Sequence, residues 1–122
     1  MRLLSTSIGA AAIGLACLSL SVPAANAGRV GGPLSQTVIV RGNQIADFSF
    51  NFVAGEPAVI TVSGNGVSNL ELLIYDADGH VTIGDGRFDR KTARVDVYRT
   101  GTFRVEIRNL GPVDNTVTLV TN

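Results

Sequence analysis

The residues able to do chemistry gather in one stretch, Asp76-Ala77-Asp78-Gly79-His80, with Asp85 and Asp89 a little further on. Two aspartates one residue apart, a backbone carbonyl and a downstream aspartate are oxygen donors of the kind a calcium ion collects, though it wants six to eight of them. Asp76, Asp78 and Asp85 are therefore the candidate calcium ligands. As an EF-hand loop the spacing is incomplete, because the third ligand position and the distal Glu are missing. A competing reading makes the same residues a hairpin turn, with Gly79 accepting positive φ and the Asp76 side chain capping it. The turn explains more of the pattern, so the expectation is that the chain needs no cofactor.

His80 is the only histidine. A zinc site draws three or four ligands from Cys and His, which this chain cannot supply. A Ser-His-Asp or Cys-His mechanism would rest on this one residue beside a turn, and no G-x-S-x-G element occurs. No catalytic residue is expected. Arg87, Arg90, Lys91 and Arg94 cluster in and after a loop and alternate with Asp85 and Asp89. They read as a solvated loop with local ion pairs, or as a contact for an acidic partner or polyanion. Tyr75 and Tyr98 are the only tyrosines and tryptophan is absent, so sugar stacking has little support.

These groups sit on elements that read as strands. Residues 69–79 (NLELLIYDADG) put Leu70, Leu72 and Ile74 on one parity and Glu71, Leu73 and Tyr75 on the other, the period of a strand with one face in a core. Further strands are expected at 35–40, at 45–53 with Phe48, Phe50 and Phe52 on one face, at 58–63 and at 81–83. Three more are expected at 93–98, 101–109 and 116–121. Residues 84–91 read as a loop. About eight short strands separated by Gly, Pro, Asn and Asp turns, with no helical period, predict an all-β fold. The architecture expected is a small antiparallel sandwich of jelly-roll type. Leu72, Ile74, Phe50, Val105 and Ile107 are expected to share its core. For 93–98 and 102–109, a three-residue loop Arg99-Thr100-Gly101 pairs Val97 with Phe103 inside and sets Asp96 against Arg104 outside, which favours a local hairpin. The rival is a corner at which the chain changes sheets.

Residues 1–27 read as a signal peptide. Arg2 precedes an uncharged run of apolar and small residues from 3 to 22, and Ala25-Asn26-Ala27 offers small residues at −3 and −1. Cleavage after Ala27 would leave residues 28–122 as one domain, with 28–34 as a flexible leader. The only cysteine, Cys17, lies in the peptide, and its context does not suit lipidation. The mature domain must then depend on its core and not on disulfides. Cleavage removes Arg2 and no acid, taking the formal net charge from 0 to −1. That gives no electrostatic case for nucleic acid or for stable association with an anionic membrane.

The order FSFNFVAGEPAVITVSG, NLELLIYDADG, TGTFRVEIRNLG and NTVTLVTN resembles the bacterial pre-peptidase C-terminal domain over nearly all of residues 28–122. That family is a small secreted β-sandwich with an aromatic strand, a DLDLYLYDxxG strand and a GTYxVxV strand. Here Glu71 and Phe103 stand where the family usually has Asp and Tyr. The resemblance implies an accessory module of secreted enzymes, calcium-binding in some members. The whole reading predicts a secreted or periplasmic, monomeric, non-catalytic binding or structural module, partnered by an extracytoplasmic protein or surface polymer. Its alternatives are a calcium-binding accessory module and a small hydrolase.

Overall fold

A computed structural model describes residues 28–122. The expected signal peptide, its cleavage site and Cys17 lie outside the described residues. Alternation of apolar and polar side chains produces nine strands: β1 Leu34–Val40, β2 Ile45–Phe52, β3 Ala58–Ser63, β4 Leu70–Tyr75, β5 Val81–Ile83, β6 Asp85–Arg87, β7 Arg90–Val95, β8 Gly101–Asn109 and β9 Asn115–Thr121. They form two antiparallel sheets, ordered β1-β9-β3-β7-β6 and β2-β8-β4-β5. The fold is an all-β sandwich.

The inward parity of each strand supplies the core. Ile60, Val62, Val117 and Leu119 from the first sheet meet Leu70, Leu72, Ile74, Val105 and Ile107 from the second, and all are fully buried or within 1 % of it. Phe52 and Phe103 close the core edge to face, with ring centres 5.4 Å apart, the geometry that the ring quadrupole favours. Phe50 packs against this core only partly buried, stacked on Phe48 near the outer edge of its sheet.

Two expectations need correction. The loop expected at 84–91 contains β6, which pairs with β7 as a hairpin, Arg87 opposite Arg90. Asp85-Gly86-Arg87 has no apolar alternation because all three residues are exposed and the strand is held by backbone bonds alone. Secondly, β7 and β8 do not form a hairpin. They lie in different sheets, β7 against β3 and β6, and β8 against β2 and β4. The apolar parity that suggested pairing is the parity any two strands share when both face one core from opposite sides. Residues 96–100 are the corner, and Gly101 begins β8 just after it. The start of the leader expected at 28–34 makes backbone hydrogen bonds to the rest of the domain. The Arg29 N–H donates to the Asn122 carbonyl at 2.9 Å, and Val30 donates to Asn51 at 2.7 Å.

Candidate functional site

The β4–β5 hairpin closes on Asp76. Its N–H donates to the His80 carbonyl at 2.9 Å, and its own carbonyl accepts from Gly79 at 3.1 Å. Gly79 has φ of 88°, where only glycine turns without steric cost. The Asp76 carboxylate folds back into the turn: Oδ1 accepts from the Asp78 and His80 N–H groups at 2.9 and 2.8 Å, and Oδ2 faces His80 Nδ1 at 3.1 Å. Desolvation on its own would raise the Asp76 carboxyl. The backbone donors of His80 and Asp78, with the His80 ring, outweigh it and hold the group below its ordinary value.

The β7–β8 corner meets this turn. Arg99 donates to Asp78 Oδ1, joining the two loops by an exposed ion pair. Between them lies a depression of about 20 Å³ lined by Asp76, Ala77, Asp78, Asp96, Tyr98 and Arg99. That is room for little more than a water, whereas small-molecule sites measure roughly 300–1,000 Å³.

Asp76, Asp78 and His80 offer three donor atoms within 4.8 Å of one another, the one such group among the described residues. They are the residues that could hold a cation. Asp76 would first have to give up turn bonds, and Asp78 would have to leave Arg99. Asp85 does not join them: it opens β6 in the other sheet, opposite Thr92. The candidate calcium set is therefore split, because the chain crosses between sheets at Gly84. Gly84 donates to the Leu72 carbonyl at 2.8 Å at this crossing. Chemically, the Asp76–His80 pair orients an imidazole, but on the outside of a turn, with the His80 side chain 81 % exposed.

Asp89, read as a loop aspartate, is instead buried. It accepts from the Gly66 N–H and stands 3.4 Å from Asn115 Nδ2. Asn115 Nδ2 also reaches the Ser68 carbonyl and hydroxyl at 3.1 and 3.0 Å, and its Oδ1 accepts from Asn65 at 2.9 Å. Asn109 spans the neighbouring loops in the same way, donating to the Val40 and Val113 carbonyls at 2.9 and 2.7 Å. Sequence reasoning missed this network. The signal was present: Asn109 and Asn115 share the inward parity of Ile107 and Val117, and a polar side chain pointing inward must find partners.

The two outer faces differ. On the four-stranded sheet, Asp47, Arg104, Glu106, Arg108 and Glu71 form one chain of ion pairs at 2.8–3.6 Å. Arg104 also lies 3.9 Å over the Tyr75 ring. Arg104 thus pairs with Asp47 and Glu106, and not with Asp96. Burial would raise the Glu106 carboxyl, but hydrogen bonds from Arg108, Arg104 and Tyr75 prevail and lower it. On the five-stranded sheet, Arg87, Arg90 and Arg94 are exposed and face outward. Among the described residues, none of the three has a carboxylate within the 4.0 Å that defines the ion pairs. Lys91 falls on the opposite parity and is half-buried. The expected local pairing of this cluster with Asp85 and Asp89 is absent, because Asp89 turns into the interior.

No protein-family model matches the chain, and no curated protein matches it.

Proposed function

We propose that this protein is a secreted, non-catalytic binding module, of the kind its resemblance to the pre-peptidase C-terminal sandwiches implies, and that it recognises its partner with the outer face of the five-stranded sheet. One observation carries the reading: that face is hydroxyl-rich and keeps three arginines that make no ion pair among the described residues, while the opposite outer face pairs its own charges. A surface that folding alone had shaped would be free to pair Arg87 with an acid across the strand; instead it meets Arg90, an arrangement that costs stability. The outward side chains run in rows across all five strands, which suits an extended polymer or a protein surface better than a small molecule.

Co-sedimentation with the envelope and extracellular polymer fractions of the producing cells tests the reading. Binding should be saturable, survive a chelator, release no product from the polymer, and be lost in Thr61→Glu/Thr118→Glu, which plants acids in the middle of the face. Loss of binding in chelator would favour the calcium-dependent accessory module, for which the Asp76-Asp78-His80 group is the specific observation. Product release would favour the hydrolase.

A further inference from the structure

The register of the five-stranded sheet lines up its outward side chains in rungs. One rung runs Ser35, Val120, Thr61, Thr92, Asp85, and the next runs Thr37, Thr118, Ser63, Arg90, Arg87. Thr61 and Thr92 touch through their hydroxyls at 3.3 Å. Arg94 follows on β7, opposite Val59. The sheet thus presents hydroxyls at its centre and guanidinium groups along its β7–β6 side. Cross-strand partners lie about 5 Å apart, so Arg87 and Arg90 act as one doubly charged point. Arg94, four residues along the same strand and on the same face, lies about 13 Å from Arg90.

We propose that this face binds a linear acidic polysaccharide whose carboxylates meet Arg87, Arg90 and Arg94 and whose hydroxyl groups meet Thr61, Ser63 and Thr92. The inference rests on the five-stranded face being the recognition surface, and it adds the chemical class of the ligand. Charge complementarity selects an anion, since three planar guanidinium groups without an ion-pair partner among the described residues match carboxylates by paired hydrogen bonds. Repeated cations on an open strand select a polymer, because one small anion would fill a single point. The neighbouring hydroxyls, which donate and accept, match a sugar and not a lipid surface. The apolar residues of this face, Ile39, Val59 and Val120, lie away from the paired cations Arg87 and Arg90. Asp85, the one acid on this face among the described residues, stands opposite Thr92, diagonal to Arg90 and Arg94, and offsets part of their charge, leaving a net positive strip.

The folding of this hairpin supports its use as a fixed platform. Gly86 has φ of 148°, and a Cβ there would run into the Arg90 carbonyl, so β6 lies hard against β7. Phe88 is held at φ of 51° in the two-residue turn, a conformation that costs a non-glycine residue energy. The turn is clamped from outside, since the Phe88 carbonyl accepts from Leu70 at 3.0 Å and the Asp89 carbonyl accepts from Gly64 at 2.8 Å. The backbone that carries Arg87 and Arg90 therefore has a set position before any ligand arrives.

The test measures the affinity of the purified protein for immobilised polygalacturonate and for its fully methyl-esterified form. Polygalacturonate should bind and the ester should not, and raised salt should weaken the binding. Arg87→Gln/Arg90→Gln should lose at least about tenfold in affinity. Arg41→Gln/Arg99→Gln, an equal change of net charge elsewhere, should bind as the wild type does. Thermal melts of both variants establish that they are folded. Equal binding of the ester, with the loss in Thr61→Glu/Thr118→Glu retained, would keep the face as a binding surface and overturn its anionic ligand. Equal loss in both arginine variants would reduce the effect to net charge and overturn the site. Preference for polyphosphate or for phosphatidylglycerol vesicles over polygalacturonate would overturn the polysaccharide class, as would no binding to any of these probes.

Discussion

Asn115 Nδ2 lies 3.0 Å from the Ser68 hydroxyl and 3.1 Å from the Ser68 carbonyl, so one fully buried amide on β9 holds the entry to β4 in the opposite sheet. Asn115→Ala removes these bonds and leaves the buried Ser68 hydroxyl and carbonyl without their amide partner. Each orphaned polar group costs roughly 1–3 kcal/mol, and the expected total loss is about 2–4 kcal/mol in urea unfolding. A loss under about 0.5 kcal/mol, the range of surface changes, would show that the network is incidental.

Leu72 is fully buried, at the centre of the four-stranded sheet and against the Gly84 crossover. Leu72→Ala should cost about 2–5 kcal/mol. Leu73→Ala is the comparison, since Leu73 lies on the other face of the strand, 7 % exposed and outside the central core cluster. It should cost less, and similar costs would mean that the central core does not outweigh the covered outer face.

Folding holds Glu106 ionised more firmly than the unfolded chain does. The stabilisation is complete above the ordinary carboxyl value of 4.5 and is lost as pH falls through the lowered folded value. Stability measured from pH 7 down to pH 2 should therefore fall less in Glu106→Gln than in the wild type. Parallel curves would remove Glu106 from the acid response.

Asp76 spends its carboxylate on its own turn, and Asp78 spends its carboxylate on Arg99. Millimolar calcium against chelator should leave the melting temperature unchanged. A site filled to 100 times its Kd would add about 2.7 kcal/mol, or roughly 4–8 °C for each kcal/mol in a domain of this size. A shift of that order, abolished in Asp78→Ala, would establish a calcium site. Asp76→Ala should lower the melting temperature with or without calcium, because it uncaps the turn.

A double-mutant cycle separates the real neighbours of Arg104 from the ones its strand parity suggests. Asp47 and Arg104, 3.0 Å apart, should couple by about 0.2–1 kcal/mol. Asp96 and Arg104 should show no coupling, since the corner at residues 96–100 sends their strands to different sheets. Coupling confined to Asp96 would contradict the sheet assignment.

The sequence by itself determined what depends on neighbours along the chain. Period-two alternation placed β2, β3, β4, β8 and β9 to within a residue or two, and with them the inward set Leu72, Ile74, Val105 and Ile107. Asp-Ala-Asp-Gly carries its own turn, because a carboxylate two and four residues from the amides it accepts needs nothing from elsewhere. Only the tertiary structure decided which strands pair. Alternation records which face of a strand is buried but not which strand lies beside it, so β7 and β8 carried matching patterns while facing the core from opposite sheets. The same limit governed the polar residues. Asp85 and Asp89 are close in sequence to Asp76, yet the crossover at Gly84 carries the chain into the other sheet, where Asp85 lies on the surface and Asp89 turns to Gly66 and Asn115. The arginines of β6 and β7 gained their common face only when an unpatterned Asp-Gly-Arg segment was drawn alongside β7 by backbone bonds, which every residue but proline can make and no side-chain pattern announces.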